Sequence, residues 1–320
     1  MKSLRKLCLC FCIGWLSNQQ VGAENPVAEN PVAERLKVPG GEFILEWHNK
    51  FGKREQQRIR SWLLYTANSA SLLDGAFPTK LTRIELHKIR RGKGPVPWAH
   101  TIRHGSPQGI AFHVNPSISL RQFKQDWTAT HEFSHLYLPY IGRQHSWLSE
   151  GFASYYQNIL MMRKGTYDQQ QGWQKLKDGF DRGAADPFQA GTLSAASSNM
   201  RQTRSFKRVY WSGASYFLEL DLQLRSRSSS LDKVITAFNQ NYRHLDIKWD
   251  GDSLVKHLDL AGNTDAFSAI YEQYQNQIGF PDYKSQLLNL GISYQGKKIT
   301  LAGNQRQERL RLEISQPPGS

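Results

Sequence analysis

The sequence predicts an α+β protein: a small sheet with helices against it, followed by a mostly helical domain. Three observations carry this. Residues 81–89 alternate, with Leu81, Arg83, Glu85, His87 and Ile89 set against Thr82, Ile84, Leu86 and Lys88, the period of a half-buried strand. Residues 55–73 bring Ile59, Trp62, Leu63, Ala67 and Leu72 to one side at helical spacing. Beyond Trp147 the pattern is almost entirely helical as far as Gly291, punctuated by Asp, Gly and Asn.

Taken in order, residues 1–23 read as a signal peptide. Lys2, Arg5 and Lys6 make a basic start, an apolar run follows to Leu16, and Val21-Gly22-Ala23 supplies small residues for cleavage. An uncleaved anchor is one alternative, and a lipoprotein at Cys12 is another, disfavoured by the bulky Phe11 before it. The expectation is an exported protein, periplasmic or secreted. All three cysteines (Cys8, Cys10 and Cys12) fall in this stretch, so the remainder has no disulfide framework, cysteine metal site or thiol nucleophile. Residues 24–42 open with a tandem Glu-Asn-Pro-Val-Ala and read as a mobile leader.

A catalytic α+β subdomain is expected over 43–165. It holds strands at 43–47, 81–89, 98–102 and 109–115, a helix over 55–73, a second over 119–137 stopped by Pro139, and a third from 147 to about 165. A helical subdomain is expected over 166–291, with helices at 167–182, 209–225, 231–242, 253–260, 265–277 and 285–290 and a polar loop over 184–206. Residues 292–320 read as a small terminal β-element built from 292–294, 298–301 and 310–314.

The formal net charge is +14. Such a balance draws a protein toward anionic surfaces, although a solvated lysine- and arginine-rich surface produces it equally well. No nucleic-acid motif accompanies the charge, so no nucleic-acid partner is expected. Nothing in the sequence speaks to oligomeric state.

The chemistry concentrates at His131-Glu132-Phe133-Ser134-His135, an H-E-x-x-H motif. On a helix, residues i and i+4 share a face, so His131 and His135 can offer two imidazoles to one Zn²⁺ while Glu132 reaches a water on it as general base. A catalytic zinc site needs a third protein ligand, for which Glu150 is the candidate. Taken alone, Glu150 is also an ordinary acid at the start of a helix.

Trp147-Leu148-Ser149-Glu150-Gly151-Phe152-Ala153 resembles the W-L-x-E-G-F-A segment of the gluzincin metallopeptidases, in particular the aminopeptidase-N-like and glycyl-aminopeptidase-like families. Ser154-Tyr155-Tyr156 continues the second of these patterns. The resemblance implies a thermolysin-like zinc-peptidase core, Zn²⁺ as cofactor, a peptide or protein substrate, and Glu150 as third zinc ligand. Val209-Tyr210-Trp211-Ser212-Gly213-Ala214 resembles the families' V-Y-x-x-G-A segment, which implies that Tyr210 donates to the oxyanion. His145, in the loop near the metal, is the alternative donor. Gly109, Ile110 and Ala111 stand where these families place the edge strand that pairs with substrate backbone. The chain departs from the aminopeptidase-N-like pattern there, because no acid occurs between Glu85 and Asp126 to hold a substrate amine.

The expected function is peptide-bond hydrolysis by metal-activated water, with aminopeptidase action one form it could take. The alternative is a non-catalytic peptide-binding or scaffold protein that keeps the gluzincin fold.

Overall fold

The structure is a computed structural model that describes residues 33–90, 92–103 and 106–317. The signal-peptide reading and the start of the leader fall outside the described residues.

Strands β1 (Ala33–Val38) and β2 (Gly41–His48) form an antiparallel hairpin. Helix α1 (Lys53–Ala70) then carries the chain across to β3 (Leu81–Lys88), which lies parallel to β2. Strands β4 (Trp98–Ile102) and β5 (Gly109–Val114) make a second antiparallel hairpin, joined to the sheet by β5, parallel to β3. The order is β1-β2-β3-β5-β4. The leader expected over 24–42 therefore runs into the sheet: Leu36 pairs with Phe43, and residues 33–38 add an edge strand. Alternation in β2 and β3 sends Phe43, Leu45, Ile84 and Leu86 to one face, where Ile59, Trp62 and Leu63 of α1 complete a core.

The helix expected over 119–137 is broken into α2 (Leu120–Gln125), α3 (Thr128–Ser134) and a 3-10 turn at His135–Tyr137. Asp126 leaves helical backbone (ψ 130°), and its Oδ1 accepts from the Thr128 amide at 2.9 Å. A short acid side chain that satisfies a nearby amide competes with the helix ladder, and here it starts a new helix.

Helix α4 (Ser146–Arg163) follows, preceded by a 3-10 turn at Arg143–His145. It is buried on every side, as expected of a helix packed between others. The helical part then comprises α5 (Gln169–Ala184), α6 (Leu193–Ser198), α7 (Met200–Thr203), α8 (Phe206–Ser226), α9 (Leu231–Asn241), α10 (Gly251–Gly262), α11 (Ala266–Gln275) and α12 (Tyr283–Asn289). The polar loop expected over 184–206 thus contains two short helices, the first started by the Thr192 side chain, which accepts from the Ala195 amide.

A hairpin of β6 (Ile292–Gln295) and β7 (Lys298–Leu301) ends in a helix, α13 (Gln305–Ser315), where a third short strand over 310–314 was expected. The alternation of Leu310-Arg311-Leu312-Glu313-Ile314 suggests a strand, but Asn304 and Gln307 form a capping box that begins a helix. Arg311 turns inward to donate to the carbonyls of Leu290 and Ala302. Among the described residues no helix is long and apolar enough to cross a membrane.

Candidate active site

Helix α3 has two faces with different duties. Ala129 and Phe133 point into the sheet core, where the Phe133 ring lies 5.4 Å from Phe43, 5.1 Å from Phe77 and 5.9 Å from Phe112. That aromatic packing fixes the helix on the sheet and aims His131 and His135 the other way, toward α4. His135 opens the 3-10 turn, but its backbone remains helical (φ −58°, ψ −26°), so the i, i+4 relation survives and the two rings sit 4.8 Å apart.

The partner helices are brought in by two glycines. A Cβ on Gly213 of α8 would lie 1.8 Å from the Trp147 carbonyl oxygen, and one on Gly151 of α4 would lie 2.4 Å from the Gly213 Cα. Only hydrogen fits at either position, so α4 and α8 meet backbone to backbone. This contact explains why a glycine follows Glu150 and another follows Ser212. It seats Tyr210, one turn earlier on α8, beside the histidines: its ring lies 6.3 Å from that of His131, tilted by 19°.

Three donors converge. Glu150 Oε2 is 3.2 Å from His131 Nε2 and 3.5 Å from His135 Nε2, and the candidate ligand atoms all lie within 4.8 Å of one another. The other ring nitrogens are occupied. His131 Nδ1 donates to Gln157 Oε1 at 2.8 Å, and His135 Nδ1 pairs with Ser149 Oγ at 3.1 Å. A ring whose Nδ1 carries the proton presents a lone pair at Nε2, and such outer partners fix both tautomer and ring orientation. Two imidazoles and one carboxylate suit a divalent metal of the zinc type.

The electrostatics agree. Burial would raise the Glu150 carboxyl, but the His135 and His131 imidazoles outweigh it and hold the group well below the usual carboxylate range. Glu132 responds in the opposite sense: burial pushes it up, while His135 and His131 only partly offset that. The two carboxyls are thereby differentiated, Glu150 as a fixed anion and Glu132 as a group nearer to accepting a proton.

The substrate strand expected at Gly109, Ile110 and Ala111 is corrected. These residues lie in β5, which is hydrogen-bonded to β3 on one side and to β4 on the other, so β5 has no free edge to offer a peptide. The open edge on this side belongs to β4. Just past its end, Arg103 donates to the His135 carbonyl at 3.0 Å and the Leu138 carbonyl at 3.4 Å, tying the edge to the end of α3 and its 3-10 turn. Burial, with Arg243 nearby, lowers its guanidinium to about 10. His145 turns away toward the helical part, its Nδ1 lying 3.5 Å from the Tyr271 hydroxyl.

Gln157, Ser149 and Arg103 escaped the sequence reading. Gln157 had a usable signal, since it stands seven residues, two helical turns, after Glu150 and so shares its face. Arg103 had none, because its role depends on how the β4–β5 hairpin meets α3.

Residues 140–222 match the family model for the M61 glycyl aminopeptidase. The match includes Glu150, Gly151, Tyr210 and Gly213, and begins after His135. The fold is shared with solved zinc-peptidase structures. The chain superposes on an aminopeptidase N family protein from Idiomarina loihiensis with a TM-score of 0.61 at 17% identity, covering 82% of this chain and 50% of that one. It also matches yeast LTA4 hydrolase in complex with bestatin (TM-score 0.54, 14% identity, 78% and 40% covered). A third likeness is to an M1 zinc metallopeptidase from Deinococcus radiodurans bound to a Tyr-Ser-Ala substrate (TM-score 0.50, 13% identity, 78% and 52% covered). The chain spans about half the length of these proteins. No curated protein matches it.

Proposed function

We propose that this protein is an exported zinc-dependent metallopeptidase that hydrolyses peptide bonds. The observation that carries the reading is the convergence of His131, His135 and Glu150 on one point with Glu132 beside it. Those three side chains would hold Zn²⁺, which supplies Lewis acidity and a lowered water pKa. Glu132 takes the proton of the attacking water on its carboxylate and returns it to the departing amine nitrogen. The Tyr210 hydroxyl donates to the oxygen that gains charge as the carbonyl carbon becomes tetrahedral. A peptide laid along the free edge of β4 would gain main-chain hydrogen bonds there.

Trimming from free N-termini is the form favoured by the matched glycyl aminopeptidase segment. Internal cleavage is favoured by β4 itself, since Trp98-Ala99-His100-Thr101-Ile102 carries no acid to hold an amine. A peptide library digested by the protein and read by mass spectrometry separates the two. Export rests on the basic, apolar and small-residue succession of residues 1–23 and is checked by the N-terminal sequence of protein recovered outside the cytoplasm. Attraction to anionic surfaces rests on the net charge of +14 and is checked by salt-sensitive binding to anionic vesicles.

The mechanism is tested by Glu132→Gln, which keeps all three ligands. The expected outcome is unchanged zinc content with turnover reduced by about 10³-fold. Wild-type turnover in a variant of full zinc content would sink the assignment. Chelation should abolish activity, and Zn²⁺ should restore it.

A further inference from the structure

The face of the sheet opposite the core carries a second group of metal-capable side chains. Register places them: His48 on β2 is paired with His87 on β3, His87 with His113 on β5, and His113 with Trp98 on β4. The rings form a row, His48 stacked on His87 at 4.3 Å, His87 on His113 at 4.7 Å, and His113 tilted by 33° against Trp98 at 4.3 Å. Glu85, two residues before His87 and so on the same face, brings Oε2 to 3.3 Å from His87 Nε2.

We propose that His48, Glu85 and His87 form a second divalent transition-metal site, separate from the one at His131, His135 and Glu150. Ligand atoms of the three lie within 4.8 Å of one another. His48 Nε2 is buried without a hydrogen-bond partner, a cost that a metal bond would remove. Two imidazoles and a carboxylate suit Zn²⁺, Cu²⁺ or Ni²⁺ and are a poor match for Ca²⁺ or Mg²⁺, which prefer all-oxygen shells. The half-buried setting leaves further positions to water. The site links β2 to β3, strands joined in sequence only through α1, so occupancy should stabilise the sheet.

The test is Zn²⁺ stoichiometry by equilibrium dialysis on the full chain. Wild type should bind two equivalents, His87→Ala one, and His131→Ala/His135→Ala one. Adding His87→Ala to that pair should weaken the remaining binding by at least about tenfold. In the His131→Ala/His135→Ala background Zn²⁺ should raise the melting temperature, and His48→Ala should remove that rise. If the inner-site variant does not fold, the comparison of wild type with His87→Ala decides alone. A single equivalent in wild type, or a second equivalent that persists in His87→Ala, overturns the proposal.

Discussion

The two histidine clusters of this molecule are built on opposite principles. The inner one takes His131 and His135 from one short helix and Glu150 from another, and each ring nitrogen facing away from the donor centre has a partner, Gln157 or Ser149. The outer one takes its members from neighbouring strands, with ring stacking between the imidazoles, one contact from His87 Nε2 to Glu85 Oε2, and His48 Nε2 left unpaired. Helix packing thus yields an enclosed set of donors with fixed tautomers. Strand register yields a row at the surface whose spacing is the strand spacing. His100 on β4 stacks on Trp98 at 4.8 Å and so extends the outer row.

This contrast can be broken at its root, at the far end of α4. There Arg163 is paired with Asp232 at 2.7 Å and donates to the Ile314 carbonyl, while the Tyr155 and Tyr156 hydroxyls donate to Asp221 and Asp232. Tyr155 therefore ties α4 to α8, and Tyr156 ties α4 to α9. Asp232→Ala leaves a buried guanidinium short of its counter-ion and should destabilise by about 3–5 kcal/mol in chemical denaturation, with no change at the donor residues themselves.

Next in size is Gly213→Ala. Its Cβ meets backbone, which cannot yield, so α8 must move off α4 at a cost of about 1–3 kcal/mol. Because Tyr210 moves with it, turnover should fall while bound zinc stays constant, which separates α8 from the ligand set. Gln157→Ala should weaken the inner metal about 10- to 100-fold and recover activity when Zn²⁺ is in excess. The outer row should be indifferent to all three. Conversely, His113→Ala should change peptide hydrolysis by less than about twofold, within the ordinary range for a surface substitution.

The smallest effect concerns the lead-in to α3. Burial raises the Asp126 carboxyl above its ordinary 3.8. The folded protein thus takes up this proton before the unfolded chain does as pH falls. The favourable contribution of the protonated form is full below 3.8 and is lost as pH rises through the folded value. Asp126→Asn keeps an oxygen for the Thr128 amide, so it should raise the melting temperature slightly at neutral pH and lose that gain near pH 3.5. A constant difference across that window would show that the carboxyl is not perturbed.

Much of this was legible in the chain. H-E-x-x-H at 131–135 and Glu150 in W-L-S-E-G-F-A are local, because a helix sets its own geometry and the i, i+4 relation holds wherever the helix lies. The strand at 81–88 and the long helices were legible because burial on one face imposes a period. What failed had a common cause. The break at Asp126, the helix at 305–315 and the strand at 33–38 each depend on a cap or a pairing partner that outweighs the apolar pattern.

The sequence by itself determined that His131 and His135 share a helical face with Glu132 beside them, since that spacing is local. Only the tertiary structure decided which edge is open to a peptide, because strand order is a long-range property and placed β5 inside and β4 at the rim. It also decided that two glycines, 62 positions apart in the sequence, touch. That contact lets α4 and α8 approach closely enough to set Tyr210 beside His131, and no local pattern encodes it.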